Sequence, residues 1–372
     1  MRAAGRYAEA RHRAAECVPL AEGLDGVARA SVLATLGRLQ ADLGENAPAA
    51  DSYRRALDAL TDVPAVVGDR VRTVVLGGLA NCLRLQGRYA DAEATYRDGL
   101  ALADDVLDPI DPDVATLLNG LAIVFKYAGR FDEAEPLYVR ALAICERAWG
   151  AESLEAASVH HNLGGLGHAS GRHADAEAPA RRAVEIREAV LGLDHPTVAA
   201  DRAALAAILD ALGRAGEAQV LLQEALGVFE RVYGPDHYEV AITLNNLAAI
   251  EQRAGALAAA EALYRRALTI KERVLGAAHP ELVPTMNNLA TVLRAGSRFA
   301  EAEDLYRRCL AVLCATVPPG HPGVAACAEN YAVLLRACGR DAEARALLDR
   351  HVHQVTGAPT APGVSSKPPN GA

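Results

Sequence analysis

Two rows of side chains, rich in asparagine and basic residues, recur at a constant step along the chain. In steps of 42 residues the first row reads Gly77, Asn119, His161, Ala203, Asn245, Asn287 and Glu329. Seven residues further on, the second reads Arg84, Lys126, His168, Asp210, Gln252, Arg294 and Arg336. Between them, four residues after the first, lie Asn81, Ile123, Gly165, Ala207, Ala249, Thr291 and Val333. Positions i, i+4 and i+7 share one stripe of an α-helix, so each trio faces one way. Asparagine offers both a donor and an acceptor and can pair with the main chain of an extended peptide without reading its sequence. Arg84, Lys126, Arg294 and Arg336 carry fixed positive charge, which favours acidic side chains or a terminal carboxylate.

Other chemistries find less support. His161 and His168, with His160 and His173 nearby, form the one metal-like cluster, but no carboxylate or Cys lies at matching phase on the same helix. No metal or other cofactor is expected. The seven cysteines are odd in number and scattered without a Cys-x-x-Cys, which suits small buried thiols in a reducing compartment. No phosphate-binding Gly-x-x-x-x-Gly-Lys-Ser/Thr, no Gly-x-Ser-x-Gly and no His-Glu-x-x-His occurs. The expected activity is binding rather than catalysis.

The elements that must position these rows follow from the period. Gly87, Gly129, Gly171, Gly213, Gly255 and Gly339 stand in register at 42-residue steps, with Ser297 in the remaining slot and Gly44 and Gly5 extending the series backwards. Five residues after each anchor is an alanine, from Ala10 and Ala49 to Ala302 and Ala344. Eight before comes a large apolar residue, as in Leu121 and Leu247, and nine after an aromatic recurs at Tyr53, Tyr96, Tyr138, Tyr264 and Tyr306. Such self-similarity predicts about nine repeats of two helices each, arrayed in one elongated domain over residues 1–355. A first helix over 113–128 and a second over 132–148 are typical, each about 24 Å long at roughly 1.5 Å per residue.

The order of large, small, glycine turn, aromatic and alanine resembles the tetratricopeptide repeat. The 42-residue period, with second helices closed by Leu-Gly-x-x-His-Pro at 191–196 and 275–280, resembles the subtype of kinesin light chains and of sensor arrays in bacterial signalling ATPases. The resemblance implies an all-α fold, a right-handed superhelical solenoid of antiparallel helix pairs, with first helices lining a concave groove. It also implies that Asn119, Asn245 and Asn287 hold a ligand's main chain there, alongside Asn81, His161 and His168, while Arg84, Lys126, Arg294 and Arg336 select charge. Chaperone-docking members carry Lys in the first row and Asn in the middle one, a pattern met here only at Asn81. The expected function is a scaffold binding an extended segment of a protein or peptide. The alternative is a ligand-responsive array that controls an attached or neighbouring effector.

Composition sets the exclusions. Lys plus Arg is 38 against Asp plus Glu 47, a net charge of −9, so no basic field draws the chain to nucleic acid or an anionic membrane. No apolar run reaches the roughly 18–20 residues of a membrane span and no signal-peptide pattern opens the chain, making cytoplasmic residence the default. Repeat one enters at its turn, Gly5, and lacks a first helix, so its helix near 7–20 is expected to expose a face suited to self-association or another protein. His-Pro and Asp-Pro pairs, such as Asp111-Pro112 and His279-Pro280, mark helix starts. A link through Pro64 and Gly68 is expected between repeats two and three. Repeat five, with Pro179 inside its second helix and Ala180 where Tyr is usual, is expected to be irregular in superhelical pitch. The Pro/Gly-rich tail, 356–372, is expected to be disordered.

Overall fold

The structure, a computed structural model, describes residues 12, 13, 16, 19, 21–317 and 321–352. The expectations for the helix of repeat one and for the tail fall outside the described residues. Among the described residues are sixteen α-helices and no strand. The chain divides after Arg214 into two compact units. In the N-terminal unit, α1 (Gly26–Asp42) and α2 (Asn46–Ala59) make repeat two, α3 (Ala65–Leu85) and α4 (Tyr89–Val106) repeat three, and α5 (Pro112–Tyr127) and α6 (Phe131–Trp149) repeat four. Repeat five is α7 (Leu154–Ala169) and α8 (His173–Leu191), and α9 (Pro196–Ala211) opens repeat six. The C-terminal unit holds α10 (Ala215–Tyr233), α11 (Tyr238–Arg253), α12 (Leu257–Leu275), α13 (Val283–Ala295), α14 (Phe299–Thr316), α15 (Pro322–Ala337) and α16 (Asp341–His351). The fold class is all-α, with antiparallel helix pairs stacked as a solenoid within each unit. First helices touch the first helices of neighbouring repeats, as α3 touches α5 and α11 touches α13.

From repeat four onward, each first helix starts where the polar residue before it caps an orphan N–H. Asp111 accepts from Asp113 N, and His195, His237, His279 and His321 accept through Nδ1 from the N–H two residues on. The joint histidines are therefore helix caps, as their spacing predicts. Every described first helix but that of repeat five ends in a full Schellman turn: the anchor N–H reaches the carbonyl three residues back and the next N–H the carbonyl five back, as in Gly129 to Lys126 O and Arg130 to Phe125 O. The turn needs a left-handed residue, and the seven anchor glycines from Gly44 to Gly339 have φ between 72° and 80°. Ser297 adopts φ 61° in the same place. Side chains are disfavoured there by about 1–2 kcal/mol, so Ser297→Gly is expected to raise stability by up to about 1 kcal/mol. A higher urea midpoint would show it; a lower one would contradict it.

Between repeats the tyrosine of one second helix packs into a gap in the next first helix. A Cβ on Gly78 would stand 2.3 Å from the Tyr53 ring, and one on Gly120 would stand 2.3 Å from that of Tyr96. The alanines five after each anchor, Ala49 to Ala344, are fully or almost fully buried. Repeat five departs from this scheme through its glycines. A Cβ on Gly164 would lie 2.9 Å from Ala180 Cβ and one on Gly167 would lie 2.8 Å from Ala176 Cβ, so α7 and α8 meet almost backbone to backbone. Ala180 replaces the usual tyrosine because no room remains for a ring. Pro179 stays inside a continuous α8, as Pro136 does in α6.

Two expectations need correction. Gly68 is not in a link: α3 begins right after Pro64, and Gly68 is a buried position of its first turns, close to Val63 and Arg72. Nor are all thiols buried. Cys82, Cys145, Cys309 and Cys327 are, but Cys314 and Cys338 are exposed, because they fall on the solvent side of α14 and at the end of α15. Cys309 and Cys327 share a hydrogen bond that pushes the pKa of Cys309 up and brings that of Cys327 down.

Candidate functional site

The first-helix rows are built differently in the two units. In the N-terminal unit, Gly77 is buried against Leu117 and offers no surface group. Asn119 is half-buried, and its Oδ1 accepts from Asn162 Nδ2 at 2.8 Å in the next repeat. His161 is half-buried with Nδ1 at 2.7 Å from Asp201 Oδ1. Asp201 is itself buried and takes two bonds from Arg187 Nη1, at 2.6 and 2.7 Å, while Arg187 Nη2 reaches Ser158 Oγ at 2.9 Å. Since a carboxylate only accepts, His161 carries its proton on Nδ1 and turns Nε2 away from Asp201. His161 is thus anchored by a core ion pair.

The second row of this unit begins with two cations. Arg84 Nη2 donates to Asn81 Oδ1 at 2.7 Å, and its guanidinium also hydrogen-bonds Tyr96. The Lys126 ammonium sits 5.4 Å from the centroid of the Tyr127 ring. Burial, then the charge of Arg84, holds Lys126 below the usual ammonium range. Half-buried His168 stands 5.0 Å, ring to ring, from His173, and burial followed by the charge of His173 holds it below the usual imidazole range. Among the described residues no group of three or more His, Cys, Asp and Glu could hold a metal ion.

In the C-terminal unit a parallel chain of bonds runs outward from the core. Lys271 is buried; its Nζ donates to Thr285 Oγ1 at 3.1 Å, and Thr285 Oγ1 donates to Asn245 Oδ1 at 3.0 Å. Burial holds Lys271 below the usual range. Asn287 Oδ1 accepts from Asn330 Nδ2 at 3.1 Å. Arg294 is half-buried beside the Tyr306 hydroxyl with an unpartnered Nε, and Arg336 is exposed. Gln252 accepts from the Tyr264 hydroxyl at 3.1 Å. In both units, then, the asparagine oxygens are engaged by the neighbouring repeat. The Nδ2 amides of Asn119, Asn245 and Asn287 have no partner among the described residues and remain as donors.

The arginines of turns and second helices behave otherwise. The residue after the anchor pairs with a glutamate 37 positions earlier: Arg130 with Glu93, Arg172 with Glu135 and Arg214 with Glu177 in one unit, Arg298 with Glu261 and Arg340 with Glu303 in the other. Bonds from Arg181 and Arg214 hold the Glu177 carboxyl below its usual range. The ladder skips one step, where Gln219 and Ala256 replace both members, and Gln219 bonds Glu251 instead. Most of the doubled arginines pair too, as Arg265 does with Glu261 and Glu301.

Sequence reasoning missed Asp201, Arg187, Asn162 and Asn330, although signals were present. In the row of Val75, Leu117 and Val159, Asp201 is a charge at a core phase, and Arg187 is another in the row of Ala103 and Cys145. Asn162 and Asn330 occupy the position next to the first row, where Asn246 and Asn288 also stand.

Compared with known families, residues 71–147, 113–189, 155–231, 198–273 and 239–315 each match the one described as "Tetratricopeptide repeat", and residues 287–362 match a second model of the same description. No curated protein matches the sequence. Among solved structures, the chain is similar to the apo quorum sensor NprR of B. thuringiensis, at 11% identity and TM-score 0.65, over 90% of this chain and 89% of that one. It is similar to the signal transduction ATPase with a tetratricopeptide repeat sensor from Pyrococcus horikoshii, at 13% identity and TM-score 0.63, over 87% of this chain and 49% of that one. Kinesin light chain repeats of Podosopora anserina match at 24% identity and TM-score 0.48, over 55% of this chain and 96% of theirs. At these identities the likeness is one of fold. Among the described residues no helix is long and apolar enough to cross a membrane.

Proposed function

We propose, for a chain that belongs to the tetratricopeptide repeat family, that the first-helix face binds an extended, acidic segment of a partner protein without catalysis. Repeats of this family generally mediate protein–protein interaction. The observation that carries the acidic preference is unequal pairing. Most arginines of the turns and many of the second helices are matched by carboxylates, whereas Arg84, Lys126, Arg294 and Arg336 have no carboxylate within ion-pair distance among the described residues. A half-buried cation without a counterion gains most from an incoming anion. The asparagine amides, left as donors, suit the carbonyls of an extended main chain.

The mechanism is multipoint. Within each unit, amides (Asn119 in one, Asn245 and Asn287 in the other) hold main-chain carbonyls, the cations select charge, and small residues (Gly165 and Ala207 in one, Ala249 in the other) leave room for ligand side chains. For a peptide selected on the wild-type protein, Asn245→Ala with Asn287→Ala is expected to weaken binding more than tenfold, about 1.4 kcal/mol. Fluorescence anisotropy with the labelled peptide measures it. Unchanged affinity in a folded double variant would remove the asparagines from the mechanism.

A further inference from the structure

Arg84 and Lys126 ask for more charge than one carboxylate supplies. They occupy the last turns of α3 and α5, first helices that touch each other. Among the described residues, every partner of either is neutral: Asn81 Oδ1 and the Tyr96 hydroxyl for Arg84, the face of Tyr127 for Lys126. Arg84 Nε is buried with no partner among the described residues. The Tyr127 ring is itself fixed by stacking on Tyr89, with centroids 5.9 Å apart. Across from Lys126, in the next repeat, stands Gly165, where even a Cβ would lie 3.5 Å from Nζ, so no side chain covers the ammonium from that side. The charge of Arg84 also reaches Lys126, adding to burial in lowering its proton affinity. Two uncompensated cations within reach of each other, both half out of water, form an arrangement that a doubly charged anion stabilises most.

We propose that Arg84 and Lys126 form a subsite for the dianion of a phosphate monoester, carried as a phosphorylated side chain on the segment bound along this face. The inference rests on the reading of the first-helix face as a peptide site and adds to it a class of ligand group. A phosphate monoester carries about −1.5 to −2 charges at pH 7 and three strong acceptor oxygens. The guanidinium fork and the ammonium can meet these together, and the two positive charges are cancelled. A monocarboxylate would leave one cation unmatched.

The test uses the full chain at constant ionic strength, titrated by calorimetry with inorganic phosphate, with acetate and with a seven-residue acidic peptide holding a central phosphoserine, serine or glutamate. The phosphoserine peptide is expected to bind at least tenfold tighter than the serine and glutamate forms. That preference should vanish in Lys126→Gln, survive in Lys126→Arg and survive in Arg147→Gln, which removes a positive charge from a second helix. Inorganic phosphate should compete and acetate should not. Equal binding of the glutamate and phosphoserine peptides, or a preference retained in Lys126→Gln, would overturn the subsite. Free phosphate binding with no gain from the peptide would overturn its assignment to a phosphorylated segment. If all three peptides bind equally, the groove reading stands without the subsite; if none binds while phosphate still depends on Lys126, the groove reading fails instead.

Discussion

Asp201→Ala is expected to cost about 3–5 kcal/mol of stability, the range for breaking a buried ion pair by removing one partner. Asp201 is 2% exposed and receives both Arg187 bonds and the His161 contact. Without it the Arg187 guanidinium keeps only Ser158 as a partner, in a core from which water is excluded. The penalty comes from the stranded charge rather than from the lost bonds, so removing that charge as well should recover most of it. Arg187→Met with Asp201→Leu is expected to come within about 1 kcal/mol of wild type, since a buried pair and a packed apolar pair are often close in free energy. Urea unfolding followed by circular dichroism measures both. A loss below about 0.5 kcal/mol in the single variant, within the range for ordinary surface substitutions, would mean that Arg187 finds solvent or another acceptor.

Gly167→Ala and Gly165→Ala, two residues apart on α7, are expected to act in opposite directions. Alanine is favoured over glycine inside a helix by about 1 kcal/mol. At Gly167 that gain is overwhelmed, because the new Cβ would stand 2.8 Å from Ala176 Cβ and 3.1 Å from Ala176 Cα, part of the backbone of α8. Forcing the two helices apart should cost about 1–3 kcal/mol. At Gly165 the nearest atom is Lys126 Nζ at 3.5 Å, the end of a flexible chain, so the helix gain should be retained. Thermal midpoints of the two variants against wild type decide it. Two shifts of the same sign would contradict the close approach of α7 and α8.

The architecture was legible because its causes are local and repeated. A glycine in the left-handed region at nearly every anchor, an alanine five residues later and, in four repeats, a proline after the capping residue state the turn, the packing and the helix start. Seven of the eight described anchors take that conformation as glycine, and Ser297 takes it at a cost. The limits of sequence reading lie where a side chain answers to a residue one repeat away. His161 looked like a free groove ligand because Asp201 lies on another helix, 40 residues on. The asparagines looked like two-sided hydrogen-bonders because the neighbours that engage their oxygens, Asn162, Thr285 and Asn330, come from the next repeat. The glutamate ladder could have been found by aligning the repeats, since Gln219 and Ala256 change together. Pro179 drew attention to repeat five, but the feature that sets it apart is the pair Gly164 and Gly167, which periodicity alone reads as ordinary small residues.

The central claim is that the first-helix face selects an extended acidic segment through donors and unpaired cations. The most direct test is selection from a random peptide library on the immobilised full chain, repeated with Arg84, Lys126, Arg294 and Arg336 all changed to Gln, at low and high salt. Peptides rich in Asp, Glu or phosphorylated residues are expected, retained by the wild type at low salt, released at high salt and lost from the variant. Peptides without an acidic bias, or an acidic set that the variant retains equally, would contradict it.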